Sequence, residues 1–310
     1  MASPNRNLAI DRYRGLAVLA MVIVNDLANT QGLPAFLKHA PDIGYTLADA
    51  VAPMFIFAIG LTYGMSFRRK KESSGTYAAC LSTARRYLAI LGLGALFSAG
   101  GAAVGEGTAW GVLQSIGVAG LLTLVIISLR PWLRLAVGLL LLGGYQYLLD
   151  WKLLDSVLGA SHGGIFGSIA WGAMLILCTS LADSFGESRP LLLWGGCITA
   201  AMIAAVRFAA ISKNRVSASY VLISILLCAL LYLFVNELSK RAPRRGLLSM
   251  CGENALLLYV GSLLLMGIER TLTGWDDVGL LLGAVRCALL TAAILAIAWA
   301  LGRKQIRVAL

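Results

Sequence analysis

The chain has 310 residues, 59% of them hydrophobic and 13% charged, with a mean hydropathy of +0.80. A soluble domain carries about 25% charged residues, so a water-soluble fold is excluded and residues 1–310 are read as a single integral-membrane domain. The formal charge of +11 is assigned to basic cytoplasmic segments rather than to nucleic-acid binding.

A membrane-spanning helix needs about 20 residues. Ten segments meet that measure, at 12–29, 47–66, 87–104, 109–129, 132–150, 164–183, 190–207, 217–237, 248–268 and 278–301. The expected fold is therefore an all-α helical bundle. The first segment ends in Asn25-Asp26 with no small-residue cleavage site after it, so it is read as a retained helix and not a signal peptide. Placing the N-terminus inside puts 19 of the 26 Lys and Arg residues in inner segments and six in outer ones, with Arg286 inside the last helix. That asymmetry predicts N-in, C-in and an even number of spans. The densest inner segment is RRKKESSGTYAACLSTARR, read as a cytoplasmic loop. The six cysteines show no CxxC spacing and are read as packing residues, with no metal site. No P-loop, GxGxxG after a strand or HExxH occurs, which leaves nucleotide hydrolysis and zinc proteolysis without support.

The chemistry-bearing residues gather at helix ends. Asp11 and Arg14 share one face at the inner end of helix 1, as a local ion pair or a phosphate contact. Asn25, near the outer end, can donate to a carbonyl oxygen or act as a helix C-cap. His39 is one of two histidines and precedes helix 2 on the outer face. Histidine is the side-chain type that exchanges protons near neutral pH, which suits it to acid–base work. Asp49, in the first turn of helix 2, can orient that imidazole or simply favour the positive helix terminus. Pro53 follows as a kink or an N-terminal proline. His162, in SHGG before helix 6, is the second outer histidine. Gln114 lies in the outer part of helix 4, Asn254 starts the apolar part of helix 9, and Arg286 needs a partner at its depth.

Four stretches then form a pattern. They are Ile10–Ala17 with Val24-Asn25; Lys38-His39-Ala40 with Gly44, Thr46, Ala48-Asp49 and Pro53–Phe57; Leu113–Gly117; and Gly252–Ala255 with Tyr259. In this order they resemble the transmembrane acyltransferases related to heparan-α-glucosaminide N-acetyltransferase. Departures occur at Asp42, where the family pattern has an aromatic residue, at Ser115 for a basic one and at Ala52 for a phenylalanine. The resemblance implies acetyl-CoA bound from the cytoplasm, with Arg14, Arg85, Arg86, Gln114 and Asn254 as candidate coenzyme contacts. It implies His39 as general base or transient acetyl carrier, with Asn25 polarising the thioester and Asp49 completing the catalytic set. Asp26, Asp42 and His162 are the candidates for holding the acceptor, an extracytoplasmic amino sugar or glycan. A bacterial-type inner membrane is the expected location, and a homodimer is compatible with the sequence. The competing class is a small-molecule transporter or permease without acyl transfer.

Overall fold

Asn7 starts the first helix. Its side-chain oxygen accepts from the backbone N–H groups of Ala9 (3.0 Å) and Ile10 (3.4 Å), which satisfies donors that a helix N-terminus leaves free. Helix α1 (Leu8–Leu27) therefore begins earlier than the apolar run alone predicts. Its C-cap is Ala28, so Asn25 lies inside the helix and is not the cap. The computed structural model describes residues 7–103, 110–185, 187–274 and 277–307. Arg6 and the predicted connection at 105–108 lie outside those residues.

After α1 come two short 3-10 turns, Ala35–Leu37 and Ala48–Ala50, and then α2 (Val51–Ala103). The helical order continues with α3 (Val112–Ile126), α4 (Pro131–Leu148), α5 (Leu154–Leu158), α6 (Gly164–Ala182) and α7 (Ser188–Phe208). It ends with α8 (Ala218–Arg241), α9 (Leu247–Glu253), α10 (Ala255–Thr273) and α11 (Leu280–Arg303). Each of the ten predicted spans overlaps a helix, and no strand occurs among the described residues. Seven helices among these residues are long and apolar enough to cross a membrane. The chain is an all-α integral membrane protein.

Two local readings are corrected. The basic segment 68–86, expected as a loop, is helical on both sides of Gly75, because Lys, Arg, Glu and Ala are good helix formers. Gly75 alone leaves the helix, at φ 85 and ψ 167, a conformation glycine adopts without steric cost. It divides α2 into arms at 51–74 and 76–103. The ninth predicted span is broken at Asn254 (φ −124, ψ 37), whose amide donates to the Ile306 carbonyl at 3.1 Å.

Packing separates two compact units. The first comprises Met1–His39, Thr46–Phe55 and Ala229–Leu310. In it α1 packs on α9, α10 and α11 around a core of Val18, Val22, Cys251, Leu258, Ile294 and Ala298. The approach of α1 to α9 is a backbone contact. A Cβ at Gly15 would meet the Leu248 carbonyl, and one at Gly252 would meet the Asp11 carbonyl. Small residues permit that closeness in membranes, where dispersion rather than water exclusion drives association. The second unit comprises Ala40–Tyr45 and Ile56–Cys228 and packs α6 against α3 and α4.

Candidate functional site

The loop between α1 and α2 is organised by a T-x-x-D pattern. Thr46 donates through its backbone N–H (3.1 Å) and its hydroxyl (3.0 Å) to Asp49 Oδ2. The Asp49 backbone N–H donates back to the Thr46 carbonyl at 3.2 Å. This reciprocal capping fixes the carboxyl group in the Ala48–Ala50 turn, where Asp49 is fully buried. Its other oxygen, Oδ1, lies 2.8 Å from His39 Nδ1. A carboxylate accepts only, so the Asp49 carboxylate makes Nδ1 the donor, and in the neutral ring the lone pair is then on Nε2. The His39 side chain is 40% exposed while its anchor is 0% exposed. An imidazole anchored at one nitrogen by a buried carboxylate, with its side chain part-exposed, is the arrangement suited to a general base or nucleophile.

Helix α1 packs against the same turn and carries Asn25 in its last turns. The Asn25 carbonyl accepts from Arg270 at 3.5 Å, and its side chain is half-buried. Beside it, Asp26 is 1% exposed and pairs with Arg286, with Nε 3.2 Å from Oδ1. Arg286 also donates to the Asp26 carbonyl at 2.5 Å. Arg286 thus has the partner its depth demands, and that partner is a residue expected at the acceptor. The first unit also holds Arg14, half-buried on α1, and Asn254 at the break between α9 and α10.

The other candidates belong to the second unit. Arg85 and Arg86 are exposed on the second arm of α2. Gln114 is buried, accepts from the Gly111 N–H at 2.9 Å and donates to Ser98 at 2.8 Å. It works at the N-terminus of α3. His162 takes a positive φ of 54°, and its carbonyl accepts from the Trp171 indole at 3.1 Å. Asp42 accepts from Ser212 at 2.7 Å and from Arg215 Nε at 3.0 and 3.1 Å. The Arg215 hydrogen bonds hold the Asp42 carboxyl below the usual carboxylate range, against a smaller opposing cost of burial.

Thr46, Ser212 and Arg215 were given no site role from the sequence, although Thr46 stands in a stretch that carries the family resemblance. Thr46 had a local signal in its three-residue spacing from Asp49. Arg215 had none, since it meets Asp42 across 173 positions. Buried Arg134, paired with Asp183 alongside Arg68, is a further charged cluster without a local signature.

A family model described as heparan-alpha-glucosaminide N-acetyltransferase, catalytic, matches residues 6–163. The matched region contains Asn25, His39, Asp49, Gln114 and His162, and excludes Asn254. No curated protein matches the chain.

Proposed function

We propose, from the premise that the chain belongs to the heparan-alpha-glucosaminide N-acetyltransferase catalytic family, that it moves an acetyl group from cytosolic acetyl-CoA to an extracytoplasmic amine on an amino sugar or glycan. The family is one of membrane N-acetyltransferases; the donor, the acceptor and the residue roles are our reading. The observation that carries it is the buried Asp49 carboxyl on Nδ1 of a half-open His39.

In this reading Nε2 of His39 takes a proton from the acceptor ammonium and frees the nitrogen lone pair. The amine attacks the thioester carbonyl, a C–N bond forms and the C–S bond breaks; the imidazolium returns its proton to the leaving thiolate, so coenzyme A leaves as the thiol, and the proton the amine nitrogen sheds on becoming an amide passes through His39 to water. In the alternative order Nε2 itself attacks the thioester and the C–S bond breaks; the coenzyme A thiolate takes the acceptor ammonium's proton and leaves as the thiol, and the acetyl-imidazole then passes the group to the freed amine, whose second proton goes to water. Asp49 serves both routes by fixing the ring's tautomer and stabilising positive charge on it. The Asn25 amide is suited to donate to the carbonyl oxygen as negative charge develops there. Arg14, Arg85 and Arg86 carry the charge that coenzyme phosphates need on the cytoplasmic side. The Gln114 side chain accepts from the Gly111 N–H at the start of α3, and the Asn254 amide donates to the Ile306 carbonyl that follows α11. A bacterial-type inner membrane is the setting that accords with a cytosolic donor and an outer acceptor.

The test uses purified protein in liposomes with acetyl-CoA on the side of the basic segment and glucosamine on the other. Wild type is expected to form N-acetylglucosamine, and His39→Ala to lose about 10²-fold or more of the rate. Equal rates in the two proteins would remove His39 from the chemistry. Uptake of glucosamine without acetyl-CoA, and without acetylation, would favour a transporter instead.

A further inference from the structure

Immediately after His39 the chain enters the six-residue segment Ala40–Tyr45 and returns at Thr46, the residue that caps Asp49. Both ends of this segment therefore adjoin residues of the His39–Asp49 arrangement. The segment is tied at Pro41, Asp42 and Gly44 to the stretch 211–217, and at Tyr45 to Ser224. Asn214 donates to the Pro41 carbonyl at 2.6 Å. Ser212 and Arg215 hold the Asp42 carboxyl group, and Arg215 reaches it from two of its nitrogens. Gly44 donates its N–H to the Ile211 carbonyl at 2.8 Å. Tyr45 and Ser224 hydroxyls lie 3.0 Å apart.

The receiving stretch is itself stiff. Ser217 bonds back to Ser212 through side chain and backbone, both at 3.1 Å. Tyr145 donates to the Arg215 carbonyl at 2.6 Å. Between these anchors Val216 is fully buried with φ 48°, a region β-branched residues almost never adopt. Such a conformation persists only where its surroundings over-determine it. The side chains of Arg215 and Asp42 are 23% and 32% exposed, and a part-exposed ion pair adds only a modest amount to global stability. A fork-shaped guanidinium on a carboxylate instead supplies direction, because its two-point contact fixes orientation as well as distance.

We infer that Arg215 and Asp42 are positioning residues, a pair that clamps the Ala40–Tyr45 segment and so sets the backbone from which His39 presents its ring. The inference rests on the catalytic reading of His39. Neither residue touches the reacting atoms; the pair acts through the chain. A small misplacement of a catalytic group lowers the rate of chemistry while leaving donor affinity intact.

The chain has two histidines, so ring-nitrogen-labelled protein gives two sets of imidazole NMR signals, and a His162→Gln sample assigns those of His39. In the full-length protein, Arg215→Ala and Asp42→Asn are each expected to shift or broaden the His39 signals. Each should lower kcat about tenfold or more and leave the acetyl-CoA KM within about twofold. The exchanged pair Asp42→Arg with Arg215→Asp should restore both readouts. Unchanged His39 signals and kcat in the single variants overturn the inference. So does loss of folding in the singles without recovery in the exchanged pair, which would make the contact a stability element. Should wild type transfer no acetyl group, the proposed function falls, and the His39 signals still decide whether the clamp exists.

Discussion

Asp42 and Asp49 share one loop and meet different donors. Asp49 is buried and divides its oxygens between Thr46 and His39. Asp42 is part-exposed and takes Arg215 and Ser212, with Asp150 adding a weaker interaction through Arg215. Arg215 holds the folded Asp42 carboxyl below its ordinary range, so folding releases a proton more readily at this site. Stability from the pair is then fully present above the unfolded carboxylate value of about 3.9 and is lost as pH falls through the lower folded value. Thermal midpoints of wild type and Asp42→Asn should therefore differ at neutral pH and converge in strong acid. A difference that is constant down to the lowest pH would show that Asp42 is not ionised in the pair. His39 and Asp49 were legible in the sequence as a histidine and a carboxylate close in chain at a helix mouth. Arg215 was not, because nothing local separates a basic residue that counts toward topology from one that closes a distant loop.

At the scale of elements, ten apolar runs sufficed to place the helices, since hydrophobic length is the quantity a bilayer selects. Helix continuity was less legible. Polarity at 68–86 resembles a loop, yet intrinsic propensity there favours helix, and only Gly75 turns the chain. The break at Asn254 was hidden for the opposite reason: the apolar run continues on both sides of it. Glycines between α1 and α9 could be counted but not ranked, because a small residue in a membrane helix needs no role beyond close packing. Structure ranks them. A methyl group at Gly252 meets the Asp11 carbonyl carbon and Gly15 nitrogen as well as the carbonyl oxygen, and backbone cannot swing aside. Gly252→Ala is expected to cost about 1–3 kcal/mol through overpacking, read as a lower thermal midpoint in detergent. Gly261→Ala, on α10 with open space around it, serves as the control and should leave the midpoint unchanged. Equal behaviour of the two variants would mean that α1 and α9 do not approach as described.

For the whole molecule, acyl transfer across a membrane needs donor and acceptor groups on opposite faces, and the charge pattern supplies the orientation. The first arm of α2 covers 51–74, which at 1.5 Å per residue spans about 36 Å and exceeds a hydrocarbon core of about 30 Å. His39 before that arm and the Arg68–Lys71 cluster near its far end therefore face different compartments once the arm crosses the bilayer. The concentration of Lys and Arg on one side predicts that the cluster is cytoplasmic. Two glycines offer a direct test. Gly75 and Gly274 both take positive φ, and a Cβ placed on either would meet no atom within 4 Å, so an inserted epitope has room at either turn. Seven of the ten predicted spans separate them, an odd number of crossings. A tag after Gly75 should be protected in intact cells and exposed on permeabilisation, whereas a tag after Gly274 should be reached from outside. The reverse pattern would move His39 to the cytoplasmic face and end the proposal of transmembrane transfer. Both tags on one side would mean an even number of crossings between them, so that at least one of the predicted spans enters the membrane without traversing it.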